Sequence, residues 1–151
     1  MTLWQKRALL SALIWGIVAA GFLVCFLSGY GPSAFIEGNP RRNIGAAFLA
    51  AGILSYTLLL YFTKKRRKAR PVLVDERDQT LSRKASEGAF FVLALFVFLF
   101  SIALHDAFRD KGSVPIGWLW SLAYSSWILA YLSQAVIALI FYSRMSSHGE
   151  G

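Results

Sequence analysis

The side chains able to do chemistry are gathered in one place. More than half of the 24 Asp, Glu, Lys and Arg residues fall between Lys64 and Glu87, in KKRRKARPVLVDERDQTLSRKASE. Its first half, Lys64, Lys65, Arg66, Arg67, Lys68 and Arg70, is a positive run interrupted only by Ala69. Such a run suits anionic lipid headgroups, each charge near the surface adding about 1 kcal/mol. Retention of a loop on one side of a membrane calls for the same charges. Its second half, Asp75, Glu76, Arg77 and Asp78 followed by Arg83 and Lys84, mixes both signs and could dock a partner protein. A local reading covers the same residues. Asp75 serves as N-cap, Glu76 and Asp78 lie near the positive end of a helix dipole, and Arg83 pairs with Glu87 at i,i+4 spacing.

A second constellation lies inside the apolar segments. Counted from the ends of their segments, Ser55 and Gln134 fall at one depth, with Tyr56 beside Ser55 and Tyr131 one turn from Gln134. Hydrogen bonds among such residues act either as glue between helices, at ~0.6 kcal/mol on average, or as the lining of a small-ligand or lipid pocket.

Other chemistries lack their residues. Only His105 and His148 exist, so haem ligation between helices has no pair of ligands. His105, Asp106 and Asp110 share one loop without a fourth ligand and read as a solvated helix end. Intramembrane proteolysis needs paired Asp, a Ser and His, or H-E-x-x-H at membrane depth, and the apolar segments carry none of these. Proton-coupled export by a small four-span carrier needs an ionisable group there, and these segments hold none. Cys25 is the sole cysteine and excludes an internal disulfide or a C-x-x-C site; it reads as a packing residue. No enzyme, metal or cofactor is expected.

The elements that position these residues follow from hydropathy. With 56% hydrophobic residues and mean hydropathy +0.51, the 151-residue chain is a single integral membrane domain with short connections. Uncharged apolar segments at about residues 8–28, 43–63, 88–104 and 117–142 predict an all-α, four-helix transmembrane bundle joined by a central loop, 64–87. Lys6, Arg7, the nine cations from Lys64 to Lys84 and Arg144 make twelve on one side; Arg41, Arg42, Arg109 and Lys111 make four on the other. That bias predicts both termini in the cytoplasm and residence in the cytoplasmic (inner) membrane. The basic n-region MTLWQKR precedes too long an apolar run for a cleaved signal, so the first span reads as a retained anchor. The charge surplus is a topology signal rather than a sign of direct nucleic-acid binding.

Pro71 divides the central loop, because the residue before a proline is pushed out of helical geometry. A helix then runs from Glu76 unbroken through Gly88 to Leu104, about 44 Å long, leaving roughly 14 Å as a cytoplasmic stalk. Leu81 is its only strongly apolar residue before Glu87, too few for a surface-lying helix. The stalk is expected to pack on the basic loop, a second copy or a soluble partner. Small residues Ala12, Gly16 and Ala20, with Ala46, Ala47, Ala50 and Ala51, suit a seam between spans 1 and 2, or a homodimer. GYGPSAFIEGNPRRN predicts compact turns ending at Pro40, and Trp4, Trp118, Trp120 and Tyr142 suit an aromatic belt.

The string Asp75-Glu76-Arg77-Asp78 with Lys84-Ala85-Ser86 directly before a membrane helix resembles a family of small prokaryotic four-span membrane proteins of unknown function, with D-E-R in the central cytoplasmic loop. The resemblance covers roughly residues 43–142. It implies a four-span layout without established enzymatic activity, in a family some of whose members are encoded beside small helix-turn-helix regulators. Two functions follow as expectations: an accessory or regulatory protein docking a soluble partner or anionic lipid through 64–87, or a small transporter or transporter subunit using the Ser55, Tyr56, Tyr131 and Gln134 layer.

Overall fold

The structure, a computed structural model, describes residues 3–36, 39–69 and 76–148; for residues 3, 64–69, 76–78 and 145–148 it describes the backbone alone. Four helices carry the fold: α1 (Leu3–Ser28), α2 (Pro40–Ala69), α3 (Glu76–Phe108) and α4 (Ile116–His148). All four are long and apolar enough to cross a membrane, and the chain is an all-α four-helix transmembrane bundle. α3 passes Gly88 without a break, as the absence of a breaker predicts. Pro71, expected to divide the central loop, lies outside the described residues. Asp75, the expected N-cap, lies outside the described residues.

The turn between α1 and α2 is built by local polar chemistry. Tyr30 and Gly31 take left-handed conformations, φ 58° and 75°, and reverse the chain into a 3₁₀ turn at Gly31–Phe35. The Ser33 hydroxyl donates to the carbonyl of Gly29 and, at 3.2 Å, to that of Tyr30, so the exposed end of α1 is capped. Asn39 Oδ1 accepts the Arg41 N–H at 3.0 Å, and Pro40 occupies the first helical position, where its missing N–H costs nothing. The turn does more than connect. Phe35 is fully buried, 5.3 Å from Phe22 and 5.5 Å from Tyr124 between ring centroids, and plugs that end of the bundle.

α1 and α4 form the centre. Seams run between α1 and α2, α1 and α4, and α3 and α4, whereas α2 and α3 flank the centre and share no comparable seam among the described residues. The core at mid-depth is Trp15, Val18 and Ile128, with Phe22, Leu49, Tyr56 and Tyr131 packed on it.

Several packing expectations change. Gly16 has nothing within 4 Å of where a Cβ would sit, so the Ala12–Gly16–Ala20 stripe is not the seam with α2. The close approach is made instead at Gly52, whose added Cβ would lie 2.6 Å from Val18 Cγ2, and at Gly21, 2.8 Å from Phe48 Cδ1. Ala47 and Ala51 are exposed. A second small-residue face lies on α3, where Ala85 and Ala89 are buried at i,i+4 spacing. Tyr142, expected in an aromatic belt, is buried in the bundle, and Trp118 packs against Phe26, Phe100 and Phe108.

The largest change concerns the stalk. Gln134 Nε2 donates to Ser86 Oγ at 2.8 Å, so the start of α3 runs beside α4 at the depth of Gln134. Part of the segment expected below the hydrocarbon therefore belongs to the bundle. Ala85 explains why: with only a methyl group there, α3 approaches α4 closely where any longer side chain would hold the two apart.

Candidate functional site

At the end of the bundle that carries Lys6, Arg7 and Arg144, the four helices border a cleft of about 60 Å³. α1 supplies Trp4, Arg7, Ala8 and Ser11, and α2 supplies Tyr56. α3 contributes Ser82 and Ala85, while α4 contributes Gln134, Ala135, Ala138 and Tyr142. That volume holds a few water molecules and is small beside the 300–1,000 Å³ of sites that enclose organic ligands.

Beneath the cleft lies an aromatic floor. Trp15 stacks on Tyr131 with centroids 4.8 Å apart and planes 10° from parallel, and meets Tyr56 edge-on at 6.1 Å. Tyr56 and Tyr131 touch at 5.2 Å. Trp15 Nε1 is buried with no hydrogen-bond partner among the described residues.

Polar contacts tie the walls together. Gln134 donates to Ser86, and the Ser86 hydroxyl donates to the Ser82 carbonyl at 3.0 Å, so α4 is bonded to α3 in a fixed rotation. At the rim, the Arg7 guanidinium lies 5.3 Å from the Trp4 ring centroid. Among the described residues every lining side chain is neutral except Arg7, and none carries a carboxylate. The cleft therefore favours an anion or a hydrogen-bond acceptor over a cation. Among the described residues no group of three or more His, Cys, Asp or Glu side chains converges as metal ligands would.

The structure separates the polar layer expected from the sequence. Tyr56 and Tyr131 meet at Trp15, and Gln134 reaches across to another helix, though its partner is Ser86. Ser55 is exposed and faces away from the bundle, because the neighbouring Tyr56 takes the inward position and successive helical residues are about 100° apart. Ser86, Ser11, Arg7 and Trp15 are the members sequence reasoning missed. A signal existed for Ser86: it completes the Ser82–Ser86 step beside Ala85–Ala89, a small-residue face hidden in a charged segment.

Of the charged residues singled out, Arg83 and Lys84 are exposed, and Arg83 Nε donates to Glu87 Oε1 at 2.8 Å. The expected i,i+4 pair forms, on the side of α3 away from Ala85 and Ala89. The side chains of Glu76, Arg77 and Asp78, like those of Lys64, Lys65, Arg66, Arg67 and Lys68, lie outside the described residues, as do Arg70 and Asp75 altogether. No protein-family model, curated protein or solved structure matches the chain.

Proposed function

We propose that this chain is a non-enzymatic accessory or regulatory protein of the cytoplasmic membrane, with both termini in the cytoplasm, whose 64–87 loop docks a soluble partner or anionic lipid. The observation that carries this reading is the division of α3 into two faces. Ala85 and Ala89 are buried and Gln134 holds Ser86, while Arg83, Lys84 and Glu87 stay exposed. A helix locked in rotation presents the charges that follow the D-E-R-D string in one fixed direction, as a docking surface requires. Exposed ion pairs contribute little to stability, so their arrangement has more to offer recognition than folding.

Crosslinking from native membranes tests the reading, comparing wild type with a variant carrying Glu76→Ala, Arg77→Ala and Asp78→Ala. Unchanged membrane insertion with selective loss of one soluble protein supports docking. Identical partners in both samples would return the string to helix capping. Orientation has its own test: a reporter fused at the C-terminus should read as cytoplasmic, and an external reading sinks the topology.

The cleft favours a second reading, a small transporter or transporter subunit working through Tyr56, Tyr131 and Gln134. Its volume and its one-sided position argue for a binding step rather than a continuous path. Under this reading Gln134→Leu abolishes uptake of the transported compound while the bundle stays folded.

A further inference from the structure

We infer that the cleft is a binding site for the phosphate of an anionic phospholipid, held by Arg7 and Ser11. The site is distinct from the exposed charged face of α3 and stands or fails independently of partner docking.

Ser11 is the first observation. In an apolar helix a hydroxyl normally satisfies itself by donating to a carbonyl three or four residues back. Ser121 does so to Gly117 at 2.8 Å, Ser133 to Ala130 at 3.1 Å and Thr57 to Ile53 at 2.8 Å. Ser11 is more than nine-tenths buried, lines the cleft, and has no hydrogen-bond partner among the described residues. Its hydroxyl is left free for something in the cleft.

Arg7 is the second. It lies one turn from Ser11, about 6 Å along the axis, and among the described residues it is the only charged one lining the cleft, with no carboxylate beside it. A half-buried guanidinium with no counter-charge among the described residues attracts an anion, and its planar fork matches phosphate oxygens. Gln134 and Ser82 add polar atoms to the opposite wall.

The third observation selects a lipid over a soluble anion. Tyr56 on α2 and Ser82 on α3 border the cleft, and among the described residues those two helices share no comparable seam. Among those residues the site thus opens sideways, toward where lipid lies, with the small apolar walls of Ala8, Ala85, Ala135 and Ala138 beside it. A headgroup can slide in laterally with its glycerol on the alanine walls and its acyl chains outside. A free phosphate gains nothing from that opening.

Native mass spectrometry of the purified full chain in detergent tests this, with phosphatidylglycerol, phosphatidylcholine and inorganic phosphate as separate probes. Wild type should retain phosphatidylglycerol in preference to phosphatidylcholine. Arg7→Gln should lower that retention about fivefold, and Ser11→Ala, which removes only a hydroxyl, about threefold. A third variant, with Lys64, Lys65, Arg66, Arg67 and Lys68 replaced by Gln, should keep the preference. Retention unchanged in both Arg7→Gln and Ser11→Ala overturns the proposal, as does a preference lost only when the basic run is neutralised. Displacement of phosphatidylglycerol by millimolar inorganic phosphate would show a small-anion site and overturn the assignment to lipid. Should Arg7→Gln fail to fold, Ser11→Ala carries the decision.

Discussion

Replacing Gly117 by Ala offers the sharpest check on how the bundle is closed. A Cβ at Gly117 would lie far inside van der Waals contact with the Pro32 carbonyl oxygen, 2.9 Å from the Pro32 carbonyl carbon and 3.3 Å from its Cβ. The obstacle is backbone, and it cannot retreat cheaply: Pro32 belongs to the turn whose Phe35 is fully buried and whose Ser33 caps α1. Overpacking of this kind costs about 1–3 kcal/mol. Alanine recovers at most ~1 kcal/mol through its better helix propensity. With backbone as the obstacle the cost falls at the upper end of that range, so the net loss is about 2 kcal/mol, roughly a 30-fold change in the folded-to-unfolded ratio. Gly16→Ala is the matched control, since its Cβ meets nothing within 4 Å. Reversible unfolding in mixed micelles with increasing SDS, followed by tryptophan fluorescence, reads both. Gly117→Ala should unfold at lower SDS and Gly16→Ala at the wild-type value or above. Equal stability of the two variants would refute the close approach of α4 to the turn.

Three further outcomes follow from the core and its polar ties. Trp15→Phe should cost no more than about 1.5 kcal/mol, because the lost ring is offset by removal of an unpartnered buried N–H, whereas Trp15→Ala should cost considerably more through its cavity; equal damage from both, in the same SDS titration, would mean that the indole N–H is bonded. Gln134→Leu should lower stability by only ~0.6 kcal/mol, but chemical-shift changes in labelled protein should concentrate on α3 near Ser86; shifts confined to α2 would contradict the bond. Glu87→Gln, which breaks the exposed pair with Arg83, should leave unfolding within ~0.5 kcal/mol of wild type; a larger loss would show that the pair is buried against lipid or a second copy.

The sequence alone determined the class, the number of helices and several of their limits. Those properties depend on single segments: an uncharged run long enough to cross a bilayer must satisfy its own backbone hydrogen bonds, and does so as a helix. The absence of any breaker between Glu76 and Leu104 is equally local, which is why the unbroken course of α3 through Gly88 was legible. The i,i+4 pair of Arg83 and Glu87 is local in the same sense.

What the helices do to one another was decided by the tertiary structure. Small residues on α1 and α2 allow more than one seam, and only the fitted side chains chose Gly21 and Gly52 over Gly16. Depth counting placed Ser55 and Gln134 at one level, but helix rotation turned Ser55 outward and brought Ser86 to Gln134. Phe35 reads from sequence as part of a turn, and its burial depends on the space left between α1 and α4. The cleft is the extreme case, since its residues come from four helices and span Trp4 to Tyr142. A helix conceals its rotation from any argument made along one segment, because lipid accepts an apolar side chain on every face; only the close fit of neighbouring helices selects the face that turns inward.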